Sequence, residues 1–312
     1  MYATRFVASA LAFALACATA AAQQPKAPAP SLGLTEIPEA ELNSYIAKSN
    51  AVVALLNTSQ RAQDSINRYA SWVNMKTGPT GKERIIYGLY SVGVSSTQGA
   101  VNKARQAIFE KPAIPPLDAA TQELTEAFEK LVPILNEAEA YYDRKDYLGD
   151  GMKGGKDLHG KIMPASGAFM AAYQKTVTLQ AELKDLIDVA QLARIEKTEG
   201  KSVRWHSVHT MRLAKKAVDL MPNNPKASAN DLKEFDAVMV EYGKAVREFD
   251  DAVRESGKSP SGANYPRDIL GRLREMRDTI GKGRMDNMTF SMSHHGILTA
   301  YNMMVTMSNT FR

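Results

Sequence analysis

The chain has 312 residues, with 39 Lys and Arg against 34 Asp and Glu, five His and one Cys. An excess this small reads as a solvated surface with both signs mixed, and a single cysteine excludes a disulfide framework. The length is enough to bury a hydrophobic core without cross-links.

The opening "MYATRFVASALAFALACATAAAQQPKAPAPSLG" has the layout of an export signal. Arg5 is a short basic region, Phe6 to Cys17 an apolar run, and "ATAAA" a small-residue cleavage region. Ala20 and Ala22 satisfy the A-x-A rule, so residues 1–22 read as a signal peptide cleaved after Ala22. The apolar run is shorter than the roughly 20 residues that span a bilayer. "FALAC" is the alternative: a loose lipobox, in which Cys17 is lipidated and becomes the mature N-terminus. Simple cleavage is preferred because Ala14 stands where Leu is usual. The expected location is the periplasm, or the outer membrane as an anchored lipoprotein on the Cys17 alternative. Membrane contact is expected only through a lipidated Cys17, and no transmembrane span is expected. Loss of Arg5 takes the net charge from +5 to +4, and export argues against nucleic acid as a natural partner. Residues 23–35, rich in Pro and Ala, read as a flexible tether.

From Glu36 to the end, residues 36–312, helical periodicity dominates and no segment alternates with period two. "TGPTGKERIIYGLYSVG", from Thr77, superficially resembles a phosphate loop. Gly78 and Gly81 are separated by two residues instead of four, and Glu83 follows Lys82 where a hydroxyl is needed. The pattern matches a capping box instead, predicting that Thr80 caps a helix and Glu83 reaches back to it. "KPAIPPLD" then ends one helix, with Asp118 capping the next. In "LTEAFEKLVPILNEAEAYY", Leu124, Phe128, Leu131, Leu135, Ala138 and Tyr142 form one stripe. Pro133 and Pro164 are expected to kink their helices or mark starts.

Two blocks carry a family likeness. "YYDRKDYLGDGMKGGKDLHGKIMPASGAF", Tyr141 to Phe169, resembles the YiiG-like family of bacterial envelope proteins, in which Y-Y-x-x-K-D-Y precedes an acidic-glycine turn and K-x-L-H. "YASWVNMKTGPTGKERIIYGLY" is similar to that family's other block, which precedes a proline break such as "IPPLD". The likeness covers roughly Ser44 to Leu186. It implies an all-helical, exported protein, often a lipoprotein, and carries over no catalytic residue.

Asp143, Asp146 and Asp150 lack the spacing of a calcium loop and read as a solvated or Lys-paired carboxylate face, with Gly149 and Gly151 as left-handed stops. His159 in "KDLHGK" reads as a hydrogen-bonding residue at a glycine turn. Further on, Lys201, Arg204, Arg212, Lys215 and Lys216 make a basic helix that also carries His206 and His209. The helix starting near Leu232 buries Phe235, Met239, Tyr242, Val246 and Phe249.

The C-terminal run crowds Met285, Met288, Met292, His294, His295, Met303, Met304 and Met307 together. Thioether and imidazole suit Cu(I), with Met285, Met288, Met292, His294 and His295 as the candidate ligands. Methionine is also a flexible core filler, and packing is the preferred reading, with no cofactor expected. No G-x-S-x-G or other catalytic motif occurs. The sequence therefore predicts an all-α protein, an elongated single-domain bundle of seven or eight amphipathic helices. The expected role is non-enzymatic, binding an envelope protein or an anionic envelope polymer. The alternative is a periplasmic metal or small-ligand binder that uses the Met/His end.

Overall fold

Apolar residues three and four apart organise the architecture. The computed structural model describes residues 30–257 and 260–308, which are helix, turn and loop without a strand. The signal region, the cleavage site after Ala22, Cys17 and most of the expected tether lie outside the described residues. A 3-10 turn, Glu39–Glu41, leads into α1, Leu42–Ala70. There follow α2 (Val94–Phe109), α3 (Pro115–Asp143), the single turn α4 (Tyr147–Asp150) and α5 (Lys153–Glu199). The chain ends with α6 (Val203–Asp219), α7 (Lys233–Ser256), α8 (Tyr265–Gly281) and α9 (Asn287–Ser308). The all-α expectation holds. No helix among the described residues is long and apolar enough to cross a membrane.

The chain divides into two compact units, one running to Ile187 and the other beginning at Asp188. The division falls inside α5 and not in a loop, so no linker composition marks it.

In the first unit, α1 buries Leu42, Tyr45, Val52, Leu55, Ile66 and Tyr69 against α2 and α3. Each fully buried residue of this kind contributes about 1.5–3 kcal/mol. Phe128 of α3 and Phe169 of α5 pack with ring centroids 5.7 Å apart. The one buried cation of this core, Lys48, is compensated by Asp118 at 2.8 Å. Asp118 does not sit at the cap position itself. It lies inside the first turn of α3 and its other oxygen accepts from the Ile114 N–H at 2.8 Å. Pro133 and Pro164 lie within α3 and α5, and neither marks a start. The end of the expected tether is already packed. Leu32 is buried, and Glu182 accepts hydrogen bonds from Ser31 Oγ and the Leu32 N–H, both at 3.0 Å.

The second unit has its own core. Leu213, Ala217, Phe235, Tyr242, Leu273, Met276, Ile297 and Met304 come from four helices. Tyr242 donates its hydroxyl to the Pro266 carbonyl at 2.8 Å, and Arg277 grips Asp236 with two bonds of 2.7 and 2.8 Å. The stripe expected in α7 is the one observed.

Residues 77–93 correct the expectation of a helix. Glu83 does reach back, accepting from the Thr80 N–H at 2.5 Å, Thr80 Oγ1 at 2.8 Å and the Gly81 N–H at 2.8 Å. Thr80 Oγ1 accepts from the Lys82 N–H at 3.1 Å. These bonds close a turn, but no helix follows until Val94. Gly78, Gly81 and Gly88 have φ of 77°, 82° and 65°, and a helix running on from Thr80 would have to pass through Gly88. Left-handed backbone there terminates the winding.

Candidate functional site

A segment with no helix or strand must place its backbone hydrogen bonds elsewhere. Residues 87–92 use side chains of the neighbouring helices. On α1, Arg61, Ser65, Arg68 and Trp72 recur at steps of four, three and four along one face, the last of them just past the helix end. Arg61 Nε donates to the Ser91 carbonyl at 3.2 Å, Arg68 Nε to Tyr87 at 2.9 Å and Trp72 Nε1 to Gly88 at 3.0 Å. Ser65 Oγ donates to the Tyr90 carbonyl at 2.8 Å and accepts from the Tyr90 N–H at 3.2 Å. From α3, Asn136 does the same for Val92, with bonds of 2.8 and 2.9 Å.

This arrangement leaves an open groove of about 560 Å³ between α1 and the segment, lined by Arg61, Asp64, Asn67, Arg68, Tyr87 and Tyr90. The guanidinium carbons of Arg61 and Arg68 lie 4.1 and 4.5 Å from the centre of the Tyr90 ring. Arg68 also approaches the exposed Tyr87 ring at 5.9 Å. Tying each Nε to a carbonyl fixes the guanidinium plane of two arginines that both line the groove. Such planar forks recognise carboxylate and phosphate. Asp64 is the one carboxylate of the lining, so the groove carries a net positive charge.

An aromatic cluster near the groove brings together residues of α1, α3 and α5 and Trp72 just past α1. Tyr69 meets Trp72 edge-on at 5.5 Å, and Trp72 meets Tyr142 at 5.0 Å. Tyr141 packs on Tyr142 at 5.0 Å. The Tyr69 hydroxyl and His159 Nδ1 are 3.0 Å apart. Burial pushes the Tyr69 and Tyr142 phenols well above their usual range. The Tyr142 hydroxyl faces that of Tyr69 but makes no well-directed hydrogen bond. Tyr141 is pushed up to about 12, first by burial and then by donating to Asp150 at 2.9 Å. Burial lowers His159, with a hydrogen bond to the Met75 backbone acting the other way. Gly78 is required here, because a Cβ at that position would stand 2.9 Å from His159 Cδ2.

The aspartates are not a shared face. Asp146 pairs with Arg144 at 2.6 Å, whereas Asp150 accepts from Tyr141 and from the Gly154 N–H that opens α5. Gly151 is left-handed as expected, but Gly149 is not, and the other left-handed residues of this stretch are Lys145 and Met152. His159 bonds across to Tyr69, not within its own glycine turn. The basic helix α6 is partly neutralised: Arg204 pairs with Glu199 at 2.5 Å and Lys215 with Asp219. His209 stacks on Trp205 at 4.9 Å and is lowered by burial and by Arg212. Among the described residues no three His, Cys, Asp or Glu converge as a metal site.

The Met/His end splits. Met285 and Met304 are core, but Met288 and Met292 are 75% and 65% exposed, which corrects the expectation that the methionines of this run pack. A spacing of four puts both on the face opposite Ile297 and Met304. His294 lies beside Phe290 at 5.9 Å and is lowered by burial, while His295 is exposed.

The sequence reading missed Arg61, Arg68, Tyr87 and Tyr90. Their available signal was the repeat of polar long-reach residues on one α1 face followed by a Tyr- and Gly-containing stretch.

The two segments with the family likeness, one carrying Tyr69, Trp72 and Gly78 and the other Tyr142 and His159, meet in this cluster. The chain is 26% identical over 277 residues, 82% of its own length and 78% of the relative's, to "Uncharacterized protein YiiG" of Escherichia coli (strain K12). No solved structure matches. The model of the family described as "Protein of unknown function (DUF3829)" matches residues 43–309, through both units, and the chain belongs to that family.

Proposed function

We propose that this protein is a non-enzymatic binding protein of the bacterial cell envelope whose α1 groove holds an anionic envelope polymer. The observation that carries this reading is the pair Arg61 and Arg68, seven residues apart, with both guanidinium groups held over Tyr90. Their forks suit the phosphates or carboxylates of an acidic glycan, and the exposed Tyr87 ring beside them offers a flat apolar surface to a sugar ring. The envelope location is supported by the export-signal layout of residues 1–22, and the mild positive charge is compatible with such a polymer.

The test is binding of the purified chain to phosphate-bearing lipopolysaccharide at low and raised salt. Binding weakens with salt, because exposed charges are screened. Arg61→Ala with Arg68→Ala lowers affinity at least tenfold, whereas Lys153→Ala on the exposed start of α5 leaves it unchanged. Asp64→Asn strengthens it by removing the groove's one carboxylate. Equal affinity in the double arginine variant overturns the reading.

A further inference from the structure

Helix α9 carries a second stripe besides the one it packs into the core. Positions 288, 292, 295, 299 and 303 follow at steps of four, three, four and four, which keeps them within a narrow arc of the helix surface. All five are exposed: Met288 at 75%, Met292 at 65%, Met303 at 41%, with His295 and Thr299 between. Methionine normally fills cores, as Met276, Met285 and Met304 do in this unit. Here thioethers and an imidazole stand together in water instead. The His295 ring makes no hydrogen bond among the described residues, so its nitrogens are available as ligands.

Neither the groove of the first unit nor the packing of α9 gives these side chains a use. Their chemistry narrows the choice of ligand. A thioether carries no charge and is a weak hydrogen-bond acceptor, so it selects soft monovalent metal ions over Zn²⁺, Mg²⁺ or Ca²⁺. Residues three and four apart on a helix have Cβ atoms about 5–6 Å from each other. Met292 is one turn from both Met288 and His295, so an ion above Met292 is within reach of a side chain from the turn below and one from the turn above. His294 is excluded, because it turns toward Phe290 and away from this arc. Met285 is excluded because it is buried in the core.

We propose that Met288, Met292 and His295 form a surface site for Cu(I), with two thioethers and one imidazole as ligands. Binding involves no change in oxidation state and releases no proton from the thioethers. The site is independent of the α1 groove, and either can fail without the other.

The experiment is an anaerobic titration of Cu(I) into the full chain against a chromophoric Cu(I) chelator of known affinity. A Cys17→Ser background removes the one thiol that would compete. One equivalent binds, Ag(I) displaces it and Zn(II) does not. Met288→Leu with Met292→Leu, and separately His295→Ala, weaken binding at least tenfold, while His294→Ala leaves it unchanged. These positions are exposed, so thermal melting of the variants matches the parent and separates a lost site from a lost fold. Absence of a stoichiometric equivalent, or undiminished binding in the double leucine variant, overturns the proposal.

Discussion

Tyr69 and His159 are 90 residues apart in sequence, and the tyrosine hydroxyl lies 3.0 Å from the histidine Nδ1. The contact joins the last turn of α1 to the first turns of α5, and Gly78 of the intervening segment closes over the imidazole.

This contact makes the first unit's stability depend on pH. Burial lowers the His159 pKa in the folded chain below its unfolded value of about 6.5. The folded state therefore favours the neutral ring. Stability is full above the ordinary imidazole range and falls as pH drops through it, because the unfolded chain takes up the proton first. His159 is the one histidine described in that unit. With Trp205→Phe, the remaining Trp72 reports on this unit alone. Denaturant unfolding followed by Trp72 fluorescence should show a lower midpoint at pH 5.5 than at pH 7.5. His159→Gln, which hydrogen-bonds without titrating, should shrink that difference. The same difference in both proteins would show that other groups govern the acid response.

Gly78 permits a paired measurement. Its φ is 77°, a conformation that costs an ordinary residue about 1–2 kcal/mol, and an added Cβ would lie 2.9 Å from His159 Cδ2. Gly33 has nearly the same φ, 68°, with nothing within 4 Å of the added atom. Gly33→Ala should therefore show the backbone cost alone, and Gly78→Ala a larger loss. The excess, read from unfolding midpoints, measures how tightly the segment packs on His159. Equal losses would mean that the imidazole yields freely.

The elements readable from the sequence are those whose stability is local or periodic. The stripe from Leu124 to Tyr142 in α3 and the Phe235 to Phe249 stripe of α7 both appear as expected. Residues 77–93 depart from the helix their sequence predicts because the same Thr80–Glu83 hydrogen bonds serve a helix cap or an isolated turn. What decides between them is distant: Ser65, Arg68, Trp72 and Asn136 supply the bonds a helix would have made internally. The groove was illegible for the same reason, since one wall is that segment. The exposed placement of Met288 and Met292 was implicit in their spacing relative to Ile297 and Met304, but composition drew attention to methionine as core filler.

Asn136 is the sharpest test of that account of the segment. Its side chain both donates to and accepts from Val92, a residue 3% exposed, with bonds of 2.9 and 2.8 Å. Asn136→Leu keeps the helix but leaves a shielded N–H and C=O without partners. Such a loss costs about 1–3 kcal/mol. Limited proteolysis should then cut between residues 77 and 93 faster than in the parent, with little change in the helical circular dichroism. An unchanged cleavage rate would show that Ser65 and the arginines hold the segment without Asn136.

The two faces of α9 predict opposite responses to substitution of the same residue type. Met304 is 3% exposed and sits in the core with Ile297, Tyr242 and Leu273. Truncation to alanine removes the buried thioether and leaves a cavity that rigid helix neighbours only partly fill, at about 2–5 kcal/mol. Met292, on the opposite face and 65% exposed, has little to lose. Leucine matches methionine in volume and in helix preference, so Met292→Leu should change the melting temperature of the second unit by no more than a degree or two. Met304→Leu falls between them, since it conserves volume but must fit a branched side chain into a slot shaped for an unbranched one. The ordering Met304→Ala, then Met304→Leu, then Met292→Leu follows from burial alone. A large loss at Met292 would mean that something covers that face in the folded protein, and the exposed thioethers would then belong to an interface and not to a metal.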